Sequence, residues 1–195
     1  TSSLVGSEMC IRDRGRIFGC LRENDLFKNT WVIFTADHGE MLGDHHMSQK
    51  NLFFEGSAHV PLLIMPPQGR SLPHNISVEA PTDLVDIYPT ILAMAGLSSP
   101  VSVSGKNLLE PVPMDRMFFG NSLNKNFCVM EEKVKLVYSA VGDHVLLFDL
   151  NTDPMEQHNL AEDPAWQERK AKLWKLLLEH TAQYTPCLLY TSDAA

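Results

Sequence analysis

Residues 30–67 of the chain read TWVIFTADHGEMLGDHHMSQKNLFFEGSAHVPLLIMPP, in which two apolar runs flank a dense group of ionisable side chains. The first run, residues 31–34, is short, continuously apolar and rich in β-formers, which favours a strand buried on both faces of a parallel sheet. The second run, residues 60–65, predicts a neighbouring buried strand closed by two prolines. Ligands of open α/β sheets bind beyond the carboxyl ends of the strands, so the group that starts at Asp37 is the predicted site.

The composition is that of an ordinary globular chain with an acidic balance. The chain has 195 residues, of which 44% are hydrophobic and 21% charged, enough to bury a core. Its formal net charge of -8 gives no general attraction to nucleic acid or to an anionic membrane. No apolar run of about 18 residues occurs, so we predict no membrane span. The start of the chain has no signal-peptide pattern, so the residues themselves indicate no compartment.

The two ends of the chain differ in character from the rest. Residues 1–14 and 187–195 resemble translated sequencing-adapter DNA, and we predict that neither end is native. Excluding the ends leaves Cys20 and Cys128, which form no CxxC motif and lie too far apart to suggest a disulfide framework. We predict a buried thiol at each of these two positions.

Periodicity divides the rest of the chain into two parts joined by a connection. Residues 15–96 form a predicted α/β part, because helical patterns at residues 15–27 and 82–96 flank the two apolar runs. Residues 97–115 lack periodicity and hold several prolines, which indicates a surface connection. Residues 116–186 form the second part. It has three predicted antiparallel strands and a terminal helix, at residues 127–131, 133–140, 144–149 and 164–183.

The candidate chemistry begins with Asp37 and His38, adjacent on the turn that leaves the first predicted strand. A carboxylate and an imidazole together suit a divalent cation when other groups complete its shell. Gly39 and Gly43 permit a tight backbone path, and Lys50 follows thirteen residues after Asp37. A lysine brought close to a metal adds a second positive charge, so the pattern predicts an anion-binding site.

Three groups of motifs, in order, make the chain resemble a known family. They are TADHGEMLGDHHMSQK with FFEGSAHVPLLI at residues 35–50 and 53–64, VDIYPTIL with AGL at residues 85–92 and 95–97, and LFDLNTDPMEQHNLA at residues 147–161. These motifs resemble the C-terminal hallmarks of the sulfatases, within the alkaline-phosphatase superfamily. The resemblance implies an α/β fold: the C-terminal part of an alkaline-phosphatase-like α/β/α core, followed by a small antiparallel β-sheet subdomain with a C-terminal helix.

The resemblance also implies roles for individual residues. Asp37 and His38 match two protein ligands of an active-site calcium ion, although the histidine also leaves Mn2+ or Zn2+ open because calcium prefers oxygen donors. Lys50 matches the lysine that contacts the sulfate ester, as a catalytic and substrate-binding group. His46 is either a second substrate contact or a hydrogen-bonded loop histidine. The substrate implied is a sulfated small molecule or a sulfated glycan, and the compartment is periplasmic or secreted. The oligomeric state stays open.

The nucleophile of the family has no counterpart in this sequence. Sulfatases carry Cys/Ser-x-Pro-x-Arg, whose first residue becomes formylglycine, whereas Cys20 is followed by Leu-Arg-Glu and Cys128 by Val-Met-Glu. We therefore expect a C-terminal fragment of a formylglycine sulfatase, without activity of its own. One alternative is a phosphonate monoester or phosphodiester hydrolase of the same superfamily. Another is a non-catalytic remnant used for binding.

Overall fold

The structure, a computed structural model, describes residues 2–50, 52–70, 76–123 and 125–184 of the chain. These fall into two units, one comprising Thr1–Thr35 and Pro61–Ser77, the other Ala36–Val60 and Val78–Ala195. The division predicted from the sequence, with a connection at residues 97–115, stays a prediction. Residues 187–195 lie outside the described residues, so the predicted non-native character of that end stays a prediction too.

The first unit contains a long helix and a two-stranded sheet. Its elements are α1 (Ser2–Glu23), a 3-10 turn (Leu26–Lys28), β1 (Val32–Thr35) and β2 (Leu62–Met65). α1 includes most of the helix predicted at residues 15–27 and extends it through the N-terminal segment predicted to be non-native. The ring of Phe18 stacks on that of Phe27, with centroids 6.2 Å apart, which fastens α1 to the turn that follows it. No helix in the described ranges is long and apolar enough to span a bilayer.

The two strands of this unit pair antiparallel, with Ile33 opposite Ile64, so the predicted parallel pairing is wrong. The predicted burial on both faces is wrong as well, because β1 is half-buried along its length and Leu63 of β2 is 59% exposed. A continuous apolar run specifies a strand that could be covered on both sides. It does not specify the direction of the partner strand, nor what covers the outer face.

The second unit is built around a four-stranded antiparallel meander. Its elements are α2 (Glu55–Ala58), α3 (Ile87–Met94), β3 (Phe118–Ser122), β4 (Asn126–Glu131), β5 (Val134–Ser139), β6 (His144–Asp149) and α4 (Gln167–Tyr184). The strands lie in the order β3-β4-β5-β6, each antiparallel to its neighbour. The predicted meander and terminal helix are therefore confirmed, with β3 as an additional strand. Gly120 and Asn121 interrupt the apolar alternation of β3, which explains why the sequence pattern missed it.

α4 covers one face of the meander. Val129, Leu136 and Leu147 lie in one cross-strand row on β4, β5 and β6, and all three are fully buried. They pack in one cluster with Leu173 and Leu177 of α4. These helix residues are four apart and therefore lie on the same face of α4. The main hydrophobic core of this unit lies between the sheet and that face.

The other face of the meander supports the loop that follows β1. Phe148 neighbours Leu147 along β6, so its side chain points to the opposite side of the sheet. It packs with Met41 and Phe54, which are 2% and 6% exposed, in a second apolar cluster. Met41 and Phe54 flank the histidine-rich segment of the sequence. The meander is thus a platform on which this segment is fixed.

The turn before α3 is held by a buried ion pair that the sequence did not reveal. Asp83 caps the turn in a capping box with Asp86. Asp86 is fully buried, and its carboxylate accepts hydrogen bonds from both terminal nitrogens of Arg116, at 2.6 and 2.8 Å. Burial alone would raise the pKa of Asp86, but the bonds from Arg116 and from two backbone N–H groups outweigh it and hold the pKa below its usual value.

The face that this helical segment buries also differs from the predicted one. An apolar stripe at residues 82–96 predicts a core helix, yet Asp86, Pro89 and Thr90 are the buried residues and Ile91 is 47% exposed. The predicted end is confirmed, since α3 ends at Met94 and Gly96 follows with a φ of +73°. The buried side of the segment is therefore polar, and hydrogen bonds take the place of apolar contacts there.

Candidate metal and anion site

The backbone of α2 fixes the chain immediately after Asp37 and His38. The Gly39 N–H donates a hydrogen bond to the Ser57 carbonyl, at 2.8 Å. A Cβ on residue 39 would collide with the carbonyl oxygen of Gly56, so only glycine permits this approach. Asp37 and His38 therefore follow β1 closely in the chain, and the next residue, Gly39, packs against the backbone of α2.

The loop after Gly39 closes on itself and returns Lys50 to the start of the site. The Met41 N–H donates to the Gln49 carbonyl at 3.2 Å, and the Gln49 N–H donates to the side chain of Glu40. Within the loop, the Gly43 N–H donates to the Met47 carbonyl at 2.9 Å. These bonds explain how residues thirteen positions apart come together, because the chain between them is folded into a closed loop.

Several non-glycine residues in this loop adopt left-handed backbone angles. The φ values are 51° at Leu42, 52° at His45, 59° at His46 and 74° at Gln49. Each such residue costs about 1–2 kcal/mol relative to ordinary backbone conformations. Strain of this kind persists only where surrounding contacts enforce it, and it concentrates at binding and catalytic sites. The closing hydrogen bonds and the buried Met41 supply that enforcement here.

Asp37, His38 and Lys50 meet at one imidazole nitrogen. His38 Nε2 lies 3.4 Å from Asp37 Oδ2 and 2.5 Å from Lys50 Nζ. The other ring nitrogen, Nδ1, lies 2.6 Å from the Gly39 carbonyl oxygen. An ammonium group can only donate, so Nε2 accepts from Lys50 and Nδ1–H donates to the carbonyl. This hydrogen-bonding pattern assigns the tautomer in which the lone pair of Nε2 points towards Lys50 Nζ.

The separation of the two candidate ligands suits a metal ion. Donors 3.4 Å apart subtend about 90–110° at an ion that holds each of them at about 2.1–2.4 Å, an ordinary coordination angle. The Asp37 side chain is 85% exposed and that of His38 35%, so an ion can reach both. Within the described residues, no group of three or more His, Cys, Asp or Glu side chains could hold a metal. The residues present therefore fit a divalent cation as two donors of a larger set.

His46 is not brought to this cluster. Its ring is exposed on the loop and makes no hydrogen bond with the described residues, so its predicted substrate contact stays a prediction. The neighbouring His45 is the structural histidine of the pair. Its ring stacks on Phe54 with centroids 4.1 Å apart and an interplanar angle of 16°. Stacking on a buried aromatic ring fixes the loop between Gly43 and Met47.

A pocket of about 170 Å³ lies beside the loop. Its walls are Met41, Asp44 and His45 on the loop, Glu55 and Gly56 on α2, and residues 154–157. From the sequence, residues 153–156 predict only a structural turn, and Glu55 before the second apolar run predicts only a cap. The two segments lie in the motifs DPME and FFEGSAHVP, which mark each segment but do not reveal their contact. The structure brings the two motifs together at this pocket.

Comparison with known proteins shows which family the sequence is similar to. The family model for sulfatases matches residues 15–97. Arylsulfatase K of Xenopus laevis is 34% identical over 167 residues, covering 75% of this chain. The chain spans only 31% of the length of that relative.

Solved structures share the fold. A Bacteroides fragilis protein described as a sulfatase, yidJ, has a TM-score of 0.75 and 26% identity over 88% of this chain and 39% of its own. The phosphonate monoester hydrolase of Agrobacterium radiobacter has a TM-score of 0.68 and 32% identity over 87% of this chain and 38% of its own. A protein solved with its substrate D-glucosamine-2-N,6-O-disulfate has a TM-score of 0.69 and 23% identity, covering 89% of this chain and 38% of its own.

The family model and the shared fold of the solved structures place the chain in the alkaline-phosphatase superfamily. Within it, the sulfatase family model and the arylsulfatase K relative support a sulfatase-family protein. The resemblance drawn from the sequence motifs is thereby confirmed, and so is the predicted fold class. The roles of Asp37, His38, His46 and Lys50 stay predictions.

Proposed function

We propose that this chain is the carboxy-terminal part of a sulfuric ester hydrolase, and that it contributes half of the active site. One observation supports this most strongly. His38 Nε2, at 3.4 Å from a carboxylate oxygen and 2.5 Å from an ammonium, is placed to bind a cation next to an anion-binding group. Asp37 and His38 are the proposed ligands of that cation, with calcium as the family expectation and Mn2+ or Zn2+ as the alternatives that a histidine allows.

Each residue has a separate proposed task. A bound divalent cation supplies charge neutralisation for the sulfate oxygens and for the negative charge that develops during transfer. Lys50 binds the same anion and stabilises the departing oxygen through its ammonium group. His38 Nε2 has one lone pair, so it binds either Lys50 or a cation. Lys50 has three N–H donors, so its ammonium can bind an anion while one N–H donates to His38, whereas cation binding at Nε2 requires that one hydrogen bond to break.

The nucleophile belongs, in this proposal, to sequence outside this chain. The chain covers 31% of arylsulfatase K, and no Cys/Ser-x-Pro-x-Arg sequence occurs among its residues. We propose formylglycine in the remaining part of the protein. The chain by itself should then hydrolyse no aryl sulfate, and calcium-dependent turnover above a Lys50→Met control would contradict the proposal.

The decisive activity test uses the longer reading frame. Its translation should contain Cys/Ser-x-Pro-x-Arg, and the expressed protein should hydrolyse an aryl sulfate. The Lys50→Met variant should lose most of this activity, because the charge that neutralises the sulfate is gone. A Lys172→Met variant is the matched control, since Lys172 is an exposed lysine paired with Glu131 on the α4 face of the sheet. Equal activity of the two variants would remove Lys50 from the site.

A second candidate is a phosphonate monoester or phosphodiester hydrolase. The structure from Agrobacterium radiobacter favours it, because it matches this chain at 32% identity and a TM-score of 0.68. Parallel assays of the longer protein with an aryl sulfate, a phosphodiester and a phosphonate monoester separate the two. Faster turnover of either phosphorus substrate would select the second candidate. Absence of turnover with all three would select a non-catalytic binding protein.

The substrate class we propose is a sulfated glycan or a sulfated small molecule. The support is the fold shared with the protein solved in complex with D-glucosamine-2-N,6-O-disulfate. A periplasmic or secreted location is proposed with it, since sulfated glycans are extracellular polymers. Comparing a disulfated glucosamine with a simple aryl sulfate as substrates of the longer protein tests the class. A preference for the aryl ester would argue for small molecules.

A further inference from the structure

Three charged side chains from separate segments meet under α2. Lys135 on β5 lies 2.6 Å from Glu55 at the start of α2 and 2.6 Å from Glu156 in the segment after β6. The second carboxylate oxygen of Glu156 accepts the Glu55 backbone N–H, at 2.7 Å. Lys135 and Glu156 are both 3% exposed. We call these three residues the Lys135 cluster.

The charges of the Lys135 cluster are partly compensated, because one ammonium faces two carboxylates. Burial alone would lower the pKa of Lys135, but the two neighbouring carboxylates reverse this and raise it above the usual value. Lys135 therefore stays charged. Its charge is shared by Glu55 and Glu156, and Glu55 has a further contact with His59 at 2.9 Å. A buried ion set of this kind contributes little net stability, so its value lies in the geometry that it imposes.

α2 needs such an anchor. It is a single turn, Glu55–Ala58, and a helix this short has no stability of its own. Its first residue is held by the Lys135 cluster, through both the side chain and the backbone N–H of Glu55. Phe54, directly before it, packs on Phe148. The meander and the segment after β6 therefore set the position of α2.

α2 in turn sets the position of the candidate ligands. The Ser57 carbonyl accepts the Gly39 N–H, and the Gly56 carbonyl fills the space where residue 39 would carry a Cβ. Gly39 follows His38 directly, and its carbonyl accepts the hydrogen bond from His38 Nδ1. A displacement of α2 would thus move Gly39, and Gly39 would move the ring of His38 to which it is hydrogen-bonded.

We infer that Lys135 and Glu156 are positioning residues for the Asp37–His38 pair and act on it through Glu55 and α2. The functional meaning of this inference rests on the proposed function, since it concerns a pair proposed to bind a cation. Glu156 lies in the DPME motif, whose pattern predicts only a turn, and the inference gives this residue a positioning role. The structural part, that the Lys135 cluster fixes the ring of His38, is testable by itself.

The test compares two variants by NMR. Lys135→Met with Glu156→Gln replaces the buried charges by uncharged groups of similar size, an exchange that proteins often tolerate without loss of stability. Glu156→Gln alone is the second variant, which keeps Lys135 paired with Glu55. In both, we expect the Gly39 amide to exchange with solvent about tenfold faster than in the wild type, relative to the Leu136 amide in the sheet. The ring signals of His38 should shift.

Arg169→Met is the matched control. Arg169 is also part-buried and paired with Glu131 at 2.8 Å, but it fastens α4 to the meander and does not touch α2. The control should change global stability without a selective change at Gly39 or His38. Unchanged Gly39 exchange and an unshifted His38 ring in both cluster variants would overturn the inference. A selective effect in the Arg169 variant would overturn it as well.

A Mn2+ titration separates this inference from the proposed function. If Mn2+ broadens the His38 signals of the wild type and the cluster variants weaken that effect, both stand. A second outcome is that Mn2+ leaves the His38 signals of the wild type unchanged while the Gly39 amide still exchanges faster in the variants. That result would support the positioning of the His38 ring and would contradict the metal site. If the variants bind Mn2+ at His38 as the wild type does, the positioning inference is wrong and the metal site stands.

Discussion

Replacing Arg116 by methionine should destabilise the second unit more than any surface substitution. The change leaves the Asp86 carboxylate fully buried, with the Lys106 and Asp83 backbone N–H groups as its remaining donors at 2.7 and 2.8 Å. It removes two charge-assisted hydrogen bonds of 2.6 and 2.8 Å. Breaking a buried pair in this way costs about 3–5 kcal/mol, because the remaining charge is uncompensated.

The loss should depend on pH in a defined direction. In the wild type the pKa of Asp86 lies below its usual value of 3.8, so its contribution is present at neutral pH and lost as the pH falls through the lowered pKa. In Arg116→Met, burial without the cation should raise the pKa of Asp86 above that of the unfolded chain. Protonation of Asp86 at lower pH should then raise the free energy of unfolding of the variant. The difference in the free energy of unfolding between the wild type and the variant should therefore be smaller at about pH 4 than at neutral pH.

Urea unfolding followed by circular dichroism at neutral pH and at about pH 4 measures both effects. Lys172→Met is the control, because Lys172 is 53% exposed and Arg169 still pairs with Glu131 at 2.8 Å in this variant, which predicts a loss of at most about 1 kcal/mol. A loss for Arg116→Met within about 1 kcal/mol of that control would show that Arg116 does not stabilise the buried Asp86 carboxylate. So would a loss that is the same at both pH values.

Two further predictions concern Gly39 and the cysteines. Gly39→Ala should lower the midpoint of thermal unfolding and displace the His38 ring signals. Gly56→Ala should be tolerated, because its Cβ would meet no atom closer than the Met41 sulfur at 3.4 Å. Equal effects of the two substitutions would show that the close approach at Gly39 is unimportant. Cys128 is fully buried, and burial raises the pKa of its thiol to about 12. At neutral pH we therefore expect Cys128 to be alkylated only after unfolding, whereas the exposed Cys20 should be alkylated in the folded chain. Peptide mass mapping after iodoacetamide treatment measures both sites, and rapid labelling of Cys128 in the folded chain would contradict the packing of the sheet.

Much of the second unit was predictable because its patterns are local. The alternation in β4 to β6 and the apolar stripe of α4 follow from the two periodicities of strands and helices, and each has one obvious partner. The loop at residues 35–50 was predictable for a different reason. Its motif is long and specific, so the family resemblance holds although no single pair of residues would have established it.

What could not be predicted depends on contacts distant in the sequence. The direction of β2 relative to β1 is not encoded in either apolar run. The thiol of Cys20, predicted to be buried, is exposed on α1, because cysteine's tendency to be buried says nothing about what covers a helix face. Asp86 and Arg116 are 30 residues apart, and nothing in the local pattern marks either as buried.

The Lys135 cluster shows the same limit within the site. Lys135 is the second residue of β5, where alternation suggests only that its side chain opposes those of the flanking apolar residues. Its two carboxylate partners lie 80 residues before it and in the segment after β6. Sequence motifs identified both partner segments but not their common contact, because a motif gives the order of residues and not their spatial arrangement.

Metal titration of the chain, followed by NMR of its histidine rings, tests the proposed cation site of Asp37 and His38 beside Lys50. We expect Mn2+ to broaden the ring signals of His38 first, with weak affinity on the order of 10⁻³ M because only two ligands are present. Asp37→Asn should abolish the preference.

The chain contains its own comparison for this measurement. His158 Nδ1 lies 3.4 Å from Asp153 Oδ2, the same separation as in the candidate site. Asp153, however, is 17% exposed and its Oδ2 already accepts the His158 backbone N–H at 2.8 Å, so it is a poorer ligand than the exposed Asp37. Selective broadening of His38 that Asp37→Asn removes is the predicted result. Equal or stronger broadening of His158, or broadening of His38 that survives Asp37→Asn, would contradict the claim.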